Sequence, residues 1–378
     1  MIAPRAFRVF VLAGLMLLIL WSRAQGQGYA NLGSDAAGFA VPDRGRQLQF
    51  PADHGPHPGF RVEWWYLTAN LRTASGEDLG VQWTLFRSAL VPEGPAGPGS
   101  PGGPGGPEGW KNPHIWMGQA AVTTATSHSY AERLGRGGIG QAGVVTDPFS
   151  AWIDDWSLTS ADDTLDNLSV TARGTEFSYD LSLQQQGPLI LHGENGYSVK
   201  SEDGQASFYY SQPAYRVTGT VVLPDGPVEV TGEAWLDREW SSQPLAADQS
   251  GWDWFSLRFD SGEKVMGFVL RGERGDFTSG SWITADGATT PLSPAEFIAT
   301  PVSWSRVAGR DIPTLWQVEI PTRGVSVEVA ALNPGAWMGT SFSYWEGPVA
   351  LSGSHRGTGY LEMTGYGDAR SSNPSERK

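Results

Sequence analysis

The run Val62-Glu63-Trp64-Trp65-Tyr66-Leu67-Thr68-Ala69-Asn70-Leu71, the turn Ser75-Gly76-Glu77 and the return Leu79-Gly80-Val81-Gln82-Trp83-Thr84-Leu85-Phe86-Arg87 decide the fold. Val81, Trp83 and Leu85 alternate with Gln82, Thr84 and Phe86 in the period-two manner of a strand. Two such arms around a Gly-containing turn make a hairpin. The pattern returns downstream: Trp254-Phe255-Ser256 leads to Ser261-Gly262-Glu263 and then to an apolar arm ending Val269-Leu270-Arg271. Paired aromatics, the same turn tripeptide and a terminal Arg favour internal duplication over coincidence. The expected fold is all-β, with two tandem antiparallel β-barrel or β-sandwich domains, because closure removes exposed strand edges.

The rest of the chain fits that reading. Its 378 residues suffice for two cores, and 49 Gly and 17 Trp punctuate short runs rich in Val, Thr, Tyr and Phe. Further strands are expected at 114–124, 177–184 and 214–223, alongside the hairpin arms at 60–71 and 79–90. The predicted domains are 46–230 and 231–368, with a flexible arm at 25–45 and a disordered tail at 369–378. Residues 92–109 carry glycines at 94, 97, 103, 106 and 109 among prolines and read as a flexible loop insertion.

Arg5 and Arg8 precede an apolar stretch at 9–20, and Ser22 and Ala24 supply small residues at a cleavage site. This reads as a signal peptide over 1–24, cut near Ala24, giving a periplasmic or secreted product with no stable membrane span after processing. The chain has no cysteine, so its stability rests on its cores alone. A formal charge of −14 with no basic patch argues against nucleic acid as a partner.

A second aromatic segment, Trp235-Leu236-Asp237-Arg238-Glu239-Trp240, sets charges among large rings. Buried charges beside tryptophan cost several kcal/mol unless paired. On a strand, Trp235, Asp237 and Glu239 share one face and Leu236, Arg238 and Trp240 the other, with the two carboxylates ~7 Å apart. In a dry cavity, desolvation and mutual repulsion raise one carboxyl pKa, so that one group donates a proton while its neighbour stays ionised. Asp237, Glu239 and Glu63 are therefore the candidate acid–base residues. The alternative is a structural lock, in which Arg238 and Arg87 are the ion-pair partners of these acids. Glu63 and Arg238 are expected to meet across the domain junction, since each needs a counter-ion.

These motifs, with Gly251-Trp252-Asp253-Trp254, Tyr344-Trp345-Glu346-Gly347-Pro348 and Gly357-Thr358-Gly359-Tyr360-Leu361-Glu362-Met363-Thr364-Gly365-Tyr366, resemble the lipocalin-like proteins called predicted secreted hydrolases. That group is related to carotenoid 1,2-hydratases and to fungal enzymes that template intramolecular cycloadditions. The resemblance covers about residues 48–367. It implies two calycin-like β domains with ligand space in or between them. Two departures stand against carotenoid hydration itself. Arg238 occupies the position of the hydratase histidine, and a guanidinium does not deprotonate in the working pH range. The hydratase Tyr and Asp pair is missing from Lys264-Val265-Met266-Gly267-Phe268.

Trp64, Trp65, Tyr66, Trp235, Trp240, Trp252 and Trp254 are the candidate ligand contacts, and an apolar isoprenoid- or polyketide-like molecule is the expected partner. No cofactor or metal is implied: His54 and His57 lie in a proline-rich loop, and the other histidines are scattered. No Gly-x-Ser-x-Gly nucleophile elbow occurs. Three readings stay open: a binding protein for an apolar molecule, an acid–base hydratase, lyase or cyclase, and a non-catalytic envelope scaffold.

Overall fold

The computed structural model describes residues 32–33, 36–92 and 109–367. The expected signal peptide and tail, most of the Gly/Pro insertion and much of the arm lie outside these residues. The strands of the first sheet begin with β1 (Val62–Thr73), β2 (Asp78–Ala89), β3 (His114–Thr124) and β4 (His128–Arg136). They continue with β5 (Ala142–Thr146), β6 (Phe149–Ile153), β7 (Trp156–Ser160), β8 (Asn167–Arg173) and β9 (Ser178–Gln185). Two short strands, β10 (Ile190–Leu191) and β11 (Tyr197–Val199), precede the long pair β12 (Ala206–Leu223) and β13 (Gly226–Ser241). The second sheet contains β14 (Gln249–Phe259), β15 (Lys264–Gly272), β16 (Phe277–Ile283), β17 (Thr289–Leu292) and β18 (Ile298–Val307). It ends with β19 (Arg310–Ile320), β20 (Val325–Ala331), β21 (Trp337–Met338), β22 (Tyr344–Gly353) and β23 (Gly357–Met363).

The protein is all-β, with two curled antiparallel sheets in tandem, as the paired hairpins predict. The first sheet runs β4-β3-β2-β1-β13-β12-β9-β8-β7-β6-β5, and the second β17-β16-β15-β14-β23-β22-β20-β19-β18. In each unit the first strand pairs with the last, β1 with β13 and β14 with β23. In each, among the described residues, the seam that no ladder joins falls between the fourth and fifth strands, β4/β5 and β17/β18. The recurring hairpins are β1–β2 and β14–β15, so the repeated motif occupies the same place in both units.

The expected strand 114–124 coincides with β3, and the hairpin arms and 177–184 move by one or two residues. The expected 214–223 is only the later half of β12. Pro213 cannot donate to a ladder, and a register shift between Gln212 and Tyr215 lets the strand continue past it. The boundary expected between 230 and 231 falls inside β13. That strand pairs with β1 through Ser241 and with β12 through Trp240, so sheet membership changes only between Ser241 and Gln249.

Alternation sorts the side chains into three layers. Trp65, Leu67, Trp83, Leu85, Trp156 and Trp240 fill the first unit, and Phe255, Trp282, Trp316, Trp345 and Leu361 the second. The third layer lies between the units and is built from Tyr66, Tyr209, Trp235, Trp254, Phe268 and Tyr360. Close approach there needs a small residue: a Cβ on Gly80 would lie 2.6 Å from Pro348 Cγ.

Candidate functional site

The register between β1 and β13 sets Glu63 opposite Trp240, Trp64 opposite Glu239, Trp65 opposite Arg238 and Tyr66 opposite Asp237. The two aromatic motifs are thus neighbours in one sheet, and strand alternation divides their residues between two sites. Glu63, Trp65, Arg238 and Trp240 point into the first barrel. Trp64, Tyr66, Trp235, Asp237 and Glu239 point toward the second unit.

The inward set is a buried ionic lock. The Glu63 carboxylate accepts hydrogen bonds from Arg87 Nε on one oxygen and Arg238 Nη2 on the other. The His57 backbone N–H adds a third at 3.0 Å. Arg87 also donates to the carbonyls of Phe60 (2.7 Å) and His57 (2.9 Å). The Arg238 guanidinium lies 3.8 Å from the Trp65 ring centroid and 4.9 Å from that of Trp240. Burial works to raise the Glu63 pKa, but the Arg87 and Arg238 charges outweigh it and hold the carboxyl well below its ordinary range. His57 belongs to this lock, stacking 3.9 Å from Trp240, while the His54 ring lies 2.7 Å by its Nδ1 from the Tyr210 hydroxyl. Glu63 is therefore a fixed counter-ion inside the barrel rather than a cavity acid, because alternation turns it away from Asp237. Its contact with Arg238 is made within the first sheet and not across the domain junction, because β1 and β13 are adjacent strands.

The outward set helps line a cavity of about 540 Å³ between the two units. Trp64, Tyr66, Tyr209, Asp237 and Glu239 come from the first sheet, and Trp252, Trp254, Phe268, Tyr344 and Glu362 from the second. Leu32, Phe86, Leu90, Leu245 and Phe342 add apolar wall. A concavity of similar volume, about 530 Å³, lies over β7, β8 and β9, but among the described residues Arg216 is its sole titratable one. The chemistry therefore concentrates in the inter-unit cavity.

Asp237 is buried at 2% exposure. Its Oδ1 accepts from Tyr209 Oη (2.9 Å), Trp235 Nε1 (2.9 Å) and Ser211 Oγ, whereas its buried Oδ2 has no hydrogen-bond partner among the described residues. Burial pushes the carboxyl up to about 7, against those three hydrogen bonds and with help from the Glu239 charge. Three donors on one oxygen favour electron density there and place the acidic proton on the other.

Two further buried acids come from the second unit, and one of them, Glu362, is within electrostatic reach of Asp237. Glu346 and Glu362 sit opposite each other on β22 and β23. Glu362 accepts from Trp252 Nε1 at 3.1 Å, and burial lifts it to about 8 against that bond, with the Asp237 and Glu239 charges adding to the rise. Burial, with the Glu362 charge, also raises Glu346, which accepts from the Tyr66 hydroxyl. Glu239 is anchored differently, by Lys200 Nζ at 2.9 Å and by Ser207 Oγ.

Of the residues singled out in the sequence, the structure gathers Asp237, Glu239, Trp64, Tyr66, Trp252 and Trp254 at the cavity. Trp235 stands behind Asp237 as a donor, while Trp65 and Trp240 pack in the first barrel, their alternation phase setting them on its inner face. Sequence reasoning missed Glu346, Glu362, Lys200, Tyr209 and His192 as site residues. The available signal was a carboxylate inside an otherwise apolar strand, Trp345-Glu346-Gly347 and Leu361-Glu362-Met363.

The AttH-like family model matches residues 41–366, and the chain belongs to that family. A candidate AttH from Nitrosomonas europaea is similar in structure, with a TM-score of 0.75 and 29% identity over 87% of this chain and 99% of that one. Kievitone hydratase from Nectria haematococca has a TM-score of 0.63 and 14% identity over 88% of this chain and 98% of its own, a likeness of fold. No curated protein sequence matches significantly.

Proposed function

We propose that this chain is an acid–base enzyme that adds water to, or removes it from, an apolar small molecule held between its two β units. The observation that carries the reading is the Asp237 carboxyl: a buried acid at the cavity wall, one oxygen saturated by three donors and the other unpartnered. In the hydration direction, Asp237 Oδ2–H protonates one carbon of an alkene. Water bonds to the carbon left electron-deficient, and the surplus proton of that water returns to the Asp237 carboxylate. The alkene gains one water and the enzyme is regenerated. The rings of Trp64, Trp252 and Trp254 line the same space and favour positive charge over their faces. Glu362 is the second acid within electrostatic reach of Asp237. That a hydratase shares the fold is compatible with the reading but does not carry it.

The test is incubation with unsaturated terpenoid and polyketide-type compounds in oxygen-18 water, followed by mass spectrometry. Label in the product with the wild type, and a loss of about 100-fold or more with Asp237→Asn, is the expected result. Equal turnover by both proteins would overturn it.

A second reading, binding without turnover, is favoured by the mostly apolar wall. It predicts bound ligand in extracts of the purified protein, equal affinity in Asp237→Asn, and no product from either.

A further inference from the structure

Lys200 follows β11 and reaches the cavity with its side chain 8% exposed. Its Nζ lies 2.9 Å from Glu239 Oε1, 4.8 Å from the ring centroid of Tyr209 and 4.4 Å from that of Phe268. One ring comes from each unit, so the ammonium is clamped at the junction. The backbone is fixed as well: Lys200 N–H donates to Gln205 O at 2.7 Å, and Lys200 O accepts from Gln249 Nε2 at 3.0 Å.

An ammonium carries three N–H donors, and Glu239 takes one. The ring faces attract the charge but accept no conventional hydrogen bond. A purely hydrocarbon ligand in this cavity would strip water from the remaining donors and replace it with nothing. A ligand bearing an oxygen acceptor would replace that water with a charge-assisted hydrogen bond. Tyr209 ties this anchor to the acid, because Lys200 lies over its face while its hydroxyl donates to Asp237. A ligand oxygen at Lys200 would therefore leave its unsaturated carbons near Asp237, about one aromatic ring away.

Building on the proposed use of this cavity for an apolar substrate, we infer that Lys200 selects an oxygenated amphiphile, an apolar chain or ring system with a carboxylate or hydroxyl head, over the parent hydrocarbon. Lys200 is a specificity-determining residue and Glu239 holds it in place.

Three probes of one carbon skeleton test this: farnesene, farnesol and farnesoic acid, titrated against the intrinsic fluorescence of the cavity tryptophans. The wild type should bind farnesoic acid about tenfold or more tighter than farnesene, with farnesol between. Lys200→Met combined with Glu239→Gln, which leaves no unpaired buried charge, should abolish that preference while farnesene affinity stays within about twofold. Lys200→Arg should retain it. Glu239→Gln alone, which frees the ammonium, should strengthen acid binding and provides the readout if the double variant fails to fold. If farnesene binds the wild type as tightly as the acid, or if the double variant weakens all three equally, the inference is overturned while the cavity reading stands. If none of the three binds, the cavity reading falls and this inference with it.

Discussion

His192 Nε2 lies 2.6 Å from Ser211 Oγ, and that contact joins the Asp237 carboxyl to the far side of the domain junction. Ser211 has one hydroxyl proton and gives it to Asp237 Oδ1. Nε2 must then be the donor to Ser211, and Nδ1 must accept from Ser281 Oγ at 2.9 Å, on β16 of the second unit. Burial, helped by the Lys200 charge, pushes the imidazole down to about 3, so the ring is neutral at physiological pH.

The chain Ser281–His192–Ser211–Asp237 predicts that His192 positions the acid. His192→Phe keeps a ring against Tyr209, whose centroid is 4.3 Å away, but removes the N–H that strengthens Ser211 as a donor. The Asp237 carboxylate loses stabilisation, and its titration should rise from about 7 by roughly half to one unit. The infrared band of the protonated carboxyl, followed against pH with Asp237→Asn as the blank, measures this. His192→Gln, which retains an amide N–H, should restore part of the shift. An unchanged titration in His192→Phe would show that His192 only fills space.

The Glu63 lock gives a second prediction, independent of ligand. Glu63→Gln leaves Arg87 and Arg238 buried without a counter-ion and should cost ~3–5 kcal/mol in urea unfolding. Arg238→Met removes one of the two cations that offset the desolvation of buried Glu63. Both variants break the same contact, so the double variant should be less unstable than the sum by about 1 kcal/mol or more. Strict additivity would mean that Glu63 is adequately held by Arg87 alone.

Gly80 sets how closely the units approach. A Cβ there would lie 2.6 Å from Pro348 Cγ and 2.8 Å from the Tyr360 hydroxyl oxygen, and neither a proline ring nor a packed tyrosine yields easily. Gly80→Ala should therefore spread β2 from β22 and β23, at a cost of about 1–3 kcal/mol. Thermal unfolding and small-angle scattering would register it. An unaltered Tm with an unaltered scattering profile would show that the junction absorbs the extra methyl.

The hairpins were legible in the sequence because each strand's alternation is local: Val81, Trp83 and Leu85 declare their face without reference to the rest of the chain. The same alternation separates Arg238 from Asp237, and so predicts two environments from adjacent residues. What it does not declare is which face meets which neighbour. Glu63 lies near the second aromatic segment because β1 and β13 are paired as first and last strands of one sheet, a non-local closure. Glu362 comes within reach of Asp237 only after both units have closed and docked, although they are more than a hundred positions apart. His192 carries no local pattern, since its role depends on Ser211 and Ser281 from different units. The expected boundary between 230 and 231 falls inside β13 because that sixteen-residue strand carries both a hairpin return and the second aromatic segment.

Asp237 supplies the prediction on which the catalytic reading depends. Burial lifts its folded-state carboxyl from the ordinary 3.8 to about 7. The unfolded chain releases that proton near the ordinary value. Between about pH 4 and 7, then, the folded protein holds a proton that the unfolded chain has lost, and stability falls as pH rises through that window. Below it both states are protonated, and above it both are ionised, so the slope vanishes on either side. A shift of about three units corresponds to roughly 4 kcal/mol across the window. Asp237→Asn cannot titrate, so in urea unfolding its stability relative to the wild type should improve by up to that amount between about pH 4 and 7. Turnover should follow the same proton, falling as pH passes through about 7 because the donor form is lost. A stability difference between the two proteins that does not change with pH would mean that Asp237 is already ionised in the fold at neutral pH, and an ionised Asp237 cannot be the acid.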